Sequence, residues 1–226
     1  VAGLVLKGCG GCCYVCGSVG TGKSSLILTH LKPQWESAGL FSKVFDLNCV
    51  AQSEGPAAVL DWVGRVSARP SMSKKKPRLV ILDELDDLCD MTAGIHNVVQ
   101  MIKLAMEPDS KLVLLGIGNE VNLIERLTAH KGSISSAGTV GSASATTTAG
   151  GGSKSLLMKS QRPMVVRFEN YTSDSVQDVL KARVGSLNVF AGPVFPFIGG
   201  KTEGVGGDIR VALTLSLIHI SQGIVR

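Results

Sequence analysis

In the first half of the chain, short apolar runs alternate with stretches in which apolar side chains recur every three or four positions. The runs CCYVC at 12–16, KVFDLN at 43–48, LVILD at 79–83 and KLVLLGI at 111–117 read as strands. LVILD is apolar without interruption up to its final acid, as a strand buried on both faces requires. The intervening stretches read as amphipathic helices. Residues 22–37 put Leu26, Ile27, His30 and Leu31 on one side, and 56–67 carry Val59, Leu60, Val63 and Val66. Residues 94–106 carry Ile95, Val98, Val99, Ile102 and Met106, and 120–129 form a fourth helix. Strands alternating with helices predict an α/β fold, a parallel sheet between two helical layers.

The pattern breaks at 132–160, where Gly, Ser, Ala and Thr dominate and almost nothing could be buried. Such a segment cannot offset the entropy of ordering it and reads as a flexible insertion. PMVVRF at 163–168 restores a strand. Residues 174–184 follow as a helix, with Asp174 as its cap, Gln177 completing a capping box and Gly185 as its stop. Val176, Val179, Leu180 and Val184 form its apolar face. Residues 186–207 are rich in Gly and Pro and show no clear period, whereas 208–216 look helical. The expected organisation is a core over 1–131, the insertion at 132–160, the end of the core at 161–185 and a partial helical unit at 186–226.

Composition changes this picture little. With 226 residues, 44% hydrophobic and 18% charged, the chain suits one sizeable core. The net charge of +5 tolerates a polyanionic partner without demanding one. No apolar run approaches the roughly 20 residues that span a bilayer, so no membrane partner is expected. The start VAGLVLKGCGG does not read as a signal peptide, and the chain reads as beginning inside a longer protein. Of six cysteines, four form C-x2-C-C-x2-C. Cys12, Cys13 and Cys16 lie on a strand, whose side chains point to alternating faces and cannot converge on one ion. They read as small buried residues in a reducing compartment. The run Lys74, Lys75, Lys76 and Arg78 reads as a solvated loop, with contacts to a phosphate backbone as the functional alternative.

The chemistry lies in two segments. GSVGTGKS at 17–24 fits the phosphate-loop pattern. Gly17, Gly20 and Gly22 let the backbone curl so that its N–H groups face an anion. Ser18, Val19, Thr21 and Ser25 complete the cradle. Lys23 reaches the terminal phosphates of ATP, and the Ser24 hydroxyl ligates Mg²⁺. Downstream, LVILDE ends in Asp83, a second carrier of the metal, and Glu84, placed to act as general base on water. Asn119 ends the run KLVLLGIGN, where an amide can orient that water. The remaining acids Asp86, Asp87 and Asp90 read as a solvated helix start.

In order along the chain, the phosphate loop, LNC at 47–49, the DE strand, GIGN followed by NLIERL, RFENYTSDSVQDVLKAR and GVGGDIRVAL resemble the AAA+ replication initiators. The nearest likeness is to the cell division control protein six group, with origin recognition complex subunit one as a cousin. The resemblance covers most of 12–130 and 163–213. It implies a three-layer ATPase core, a helical lid and a DNA-binding winged helix, the last expected to lie outside this chain. It implies ATP and Mg²⁺ as cofactors, Asn119 as first sensor and Arg210 as second. The implied setting is the nucleus, on double-stranded DNA, with origin recognition complex subunits and the replicative helicase. Alternatives are a clamp loader, an origin recognition complex subunit, or a DNA-binding module that ATP stabilises without hydrolysis. Thr128, Ala129, His130 and Lys131 stand where the family carries an arginine serving a neighbouring subunit, and Arg126 is not expected to replace it. Asn170 stands where a proline is common, and LSLIHISQGIVR does not continue the family pattern.

Overall fold

The computed structural model describes residues 10–68, 76–129, 162–184 and 192–221. The expected insertion at 132–160, Lys74, Lys75 and Gly185 lie outside them.

Five strands form one sheet in the order β2-β3-β4-β1-β5, with every adjacent pair parallel. They are β1 Gly11–Gly17, β2 Lys43–Asn48, β3 Arg78–Asp83, β4 Leu112–Gly118 and β5 Met164–Phe168. The three central strands are buried at every position, which is why their sequences are nearly continuous in apolar character. The edge strands β2 and β5 are partly exposed.

Side chains alternate across the sheet and divide the core in two. Cys12, Tyr14, Cys16, Val80, Leu82 and Leu114 face one layer of helices. That layer contains α2 Pro56–Ala68, α3 Leu85–Asp90, α4 Gly94–Met106 and α5 Leu123–Ala129. Cys13, Val15, Leu79, Ile81, Val113, Leu115 and Ile117 face the other, packing on α1, which runs over Ser25–Leu31 and Lys32–Ser37. The cysteines of β1 are therefore split between two faces, as the strand period requires.

Helix α1 departs from expectation. It is π-helical over Ser25–Leu31 and α-helical over Lys32–Ser37, and the Lys32 N–H bonds the Ile27 carbonyl five residues back. The wider turn rotates the inward face to Ile27, Leu28, Leu31 and Trp35. Leu26 and His30 are consequently exposed rather than packed.

After β5 the chain forms three helices, α6 Ser173–Val184, α7 Val194–Gly204 and α8 Ile209–Ser221. Val176, Leu180, Ile198 and Ala212 are their shared core. The cap of α6 is Thr172 rather than Asp174: the Thr172 carbonyl accepts from Val176 N–H at 2.9 Å, and Asp174 sits in the first turn. Gln177 reaches Asp174 Oδ1 at 3.4 Å, not the cap backbone. Helix α7 forms through a stretch rich in Gly and Pro. Pro193 is its N-cap and Pro196 falls in its first turn, where a missing N–H breaks no helical bond. No described helix is long and apolar enough to cross a membrane.

Candidate functional site

The carboxyl ends of β1, β3 and β4 meet at one rim of the sheet, the place where parallel α/β sheets hold ligands. A cleft of about 500 Å³ opens there, lined by the phosphate loop, Asp83, Glu84 and Asn119 on the core side. Tyr171, Val179, Arg183, Ile209, Arg210 and Leu213 line it from the three-helix side.

Residues 17–24 leave β1 in a tight curl. Gly20 has φ +78° and Gly22 φ +83°, conformations that L side chains rarely adopt. A Cβ on Gly20 would also lie 1.8 Å from Asp208 Oδ1, so only glycine lets the lid approach the loop. Thr21 Oγ1 donates to the Ser18 carbonyl at 2.8 Å. Lys23 is 6% exposed. Its Nζ donates to the Gly17 and Ser18 carbonyls at 2.8 Å and to Asn119 Oδ1 at 3.0 Å. Burial lowers the Lys23 pKa, while the carboxylates of Glu84, Asp86 and Asp83 act in the opposite sense.

Ser24 Oγ donates to Asp83 Oδ1 at 2.7 Å, so a hydroxyl and a carboxylate oxygen share one spot beside the loop. Two hard oxygen donors next to a phosphate cradle suit Mg²⁺, which takes few protein ligands and keeps water and phosphate oxygens for the rest. Glu84 adopts left-handed φ 56°, ψ 48° at the N-cap of α3. Strain of this kind at a carboxylate clusters at functional sites. Burial, then Asp83, Asp86 and Asp87, raise its pKa above the ordinary carboxylate value, against the bond from Asn119. Asn119 Nδ2 donates to Glu84 Oε2 at 3.0 Å, so this amide bridges Lys23 and Glu84.

Arg210 lies on the lid wall and is ion-paired with Asp208, its terminal nitrogen 2.6 Å from Oδ2. That pairing holds the Asp208 carboxyl below its usual range. Arg126 bonds Asp90 at 2.9 Å and Glu120 at 3.2 Å within the same chain.

Four features were not expected. Arg183 and His30 line the cleft. His30 appears there because the π-helical turn carries it outward, and Arg183 because α6 forms one wall. Asp86, expected as a solvated helix start, is instead half-buried and bonded across the sheet to the backbone after β4. The basic run also differs from expectation. Arg78 is 6% exposed and donates to the Val66 and Ser67 carbonyls at 3.1 Å, and Lys76 Nζ bonds the Gly39 carbonyl.

Sheet order, phosphate loop and three-helix lid together define a P-loop α/β domain of the AAA+ arrangement. The chain is similar to origin recognition complex subunit 1 of Drosophila melanogaster, 24% identical over 94% of this chain and 22% of that protein. It is likewise 24% identical to cell division control protein 6 homolog B of Arabidopsis thaliana, over 92% of this chain and 42% of that one. The chain thus spans between about a fifth and two fifths of these relatives. The fold matches a chain in the structure of the Drosophila origin recognition complex bound to DNA, with TM-score 0.66 and 20% identity over 98% of this chain and 53% of that one. No protein-family model matches the chain.

Proposed function

We propose that this chain is the ATP-binding and ATP-hydrolysing part of a replication initiator, acting in the nucleus on double-stranded origin DNA. Its partners on this reading are origin recognition complex subunits and the ring helicase they load. The observation that carries the proposal is the convergence of Lys23, Ser24–Asp83 and Glu84–Asn119 at one rim of the sheet. The likeness to origin recognition complex subunit 1 and to a cell division control protein supports the replication setting.

Each side chain has a definite task in this reading. The loop from Gly17 to Ser25 cradles the phosphates with its N–H groups. Lys23 turns its ammonium from loop carbonyls toward the terminal phosphates. Ser24 and Asp83 would hold Mg²⁺, which neutralises charge developing on the phosphate oxygens. Glu84 accepts the proton of the attacking water, and Asn119 fixes the carboxylate that does so. Arg210 approaches the terminal phosphate from the lid once it leaves Asp208. Turnover by the isolated chain is slow, because Arg126 is committed within its own chain and an arginine delivered by a neighbour is worth about 10³–10⁵ in rate.

The test is Glu84→Gln. ATP binding is retained while phosphate release falls about 100-fold or more, the scale of a lost general base. Undiminished hydrolysis would remove Glu84 from that role, and failure of the unaltered chain to bind ATP would end the proposal.

A further inference from the structure

Asp86 lies close to the site and has no task in the ATPase mechanism. It sits in the first turn of α3, yet its carboxylate turns away from the helix. Oδ2 accepts the N–H of Asn119 at 2.7 Å and of Glu120 at 3.1 Å, 33 and 34 residues further along the chain. Oδ1 is buried with no hydrogen-bond partner. A half-buried carboxylate with one buried, unpartnered oxygen, near Asp83, Glu84 and Asp87, is a poor device for stability alone. The surroundings are shaped to admit it. A Cβ on Gly118 would lie 2.7 Å from Asp86 Oδ1 and 2.5 Å from Tyr14 Oη. Tyr14 Oη in turn donates to the Glu120 carbonyl at 2.8 Å. The three peptide units between Gly118 and Val121 are therefore held by Asp86 and Tyr14.

We propose that Asp86 is a positioning residue: by fixing the Asn119 and Glu120 backbone it aims the Asn119 amide between Lys23 and Glu84. The inference rests on the ATPase reading and names what sets the geometry of that site. Asp86 does not line the cleft, so its loss acts on turnover and not on nucleotide capture.

The experiment uses Asp86→Ala, Asp86→Asn and Asn119→Ala. Asp86→Ala lowers kcat by about 10- to 100-fold, the cost of a misplacement near 1 Å, and leaves the ATP dissociation constant within about twofold. Asp86→Asn keeps an oxygen for both N–H groups and recovers most of the loss. Combined with Asn119→Ala, Asp86→Ala adds little further loss, because both act through one amide. Hydrogen exchange supplies a readout independent of turnover: the Asn119 and Glu120 amides lose protection in Asp86→Ala while those of β3 keep theirs. If Asp86→Ala does not fold, Asp86→Ser, too short to span both N–H groups, takes its place. Unchanged protection at Asn119 and Glu120, an additive double variant, or a loss confined to ATP affinity overturns the inference. An unaltered chain that never hydrolyses ATP overturns the ATPase reading instead, and the exchange result then still decides whether Asp86 holds this backbone.

Discussion

Lys23 is almost fully buried, and its ammonium is held by two loop carbonyls and Asn119. Lys23→Ala removes the cation that would meet the terminal phosphates, so titration with a fluorescent ATP analogue should show binding lost or weakened by more than about 100-fold; equal affinity would sink the site assignment. The thiols behave in the opposite way from reactive groups. Burial pushes Cys49 and Cys89 up to about 12, and Cys12 higher still. Peptide mapping after iodoacetamide at about pH 8 should find these three unlabelled in the folded protein and labelled in denaturant. The same shifts set a direction with pH. An unfolded thiol ionises near 9 and a folded one does not, so the associated stability is complete below 9 and is lost as pH rises toward 12. The melting temperature should therefore fall on the alkaline side; labelling of the native state, or a flat alkaline profile, would contradict the burial. Lys23, Asp83, Glu84 and Asn119 are legible from sequence because each ends or follows an apolar run, and parallel strands bring such ends together. Asp86 is not, because the bonds that make it important cross 33 residues and leave no local pattern.

At the scale of elements, β3 and β4 are secured by complete burial. Leu114 is 1% exposed at the middle of β4, so Leu114→Ala should cost about 2–5 kcal/mol in urea unfolding. A cost below about 1 kcal/mol would mean that the sheet is not the centre of the core. These strands are legible because nothing but an apolar run can occupy a strand covered on both faces. Helix α7 is not. Pro193, Pro196, Gly199 and Gly200 argue against a helix by local propensity, and tertiary packing overrides it. Gly199 shows how: a Cβ there would lie 2.7 Å from Ser173 Oγ and 2.8 Å from the Ser173 carbonyl, so the glycine that weakens α7 lets it dock on α6. The inward face of α1 is misread for a different reason. A period of 3.6 is assumed, and the π-helical turn after the phosphate loop breaks it.

For the molecule as a whole, the net charge of +5 is compatible with a nucleic-acid partner, but the basic run offers little of it. Arg78 is buried against two carbonyls and Lys76 is bonded to Gly39, so two of the run's four cations are committed within the chain. The chain alone should therefore bind duplex DNA weakly and without sequence preference. A footprint of about two phosphates should lose about tenfold in affinity between about 50 and 200 mM salt. Arg78→Ala should lower stability by about 1–3 kcal/mol and leave that affinity unchanged. Tight, salt-insensitive binding, or a DNA defect in Arg78→Ala, would relocate the contact surface. One last consequence follows from the way Lys23 and Thr21 are bonded inside their own loop. The curl is held by bonds within the chain itself. Capture is then a docking event and not a coupled folding event: calorimetry should record only a modest heat-capacity change, and association should follow a single exponential whose rate rises linearly with ligand concentration.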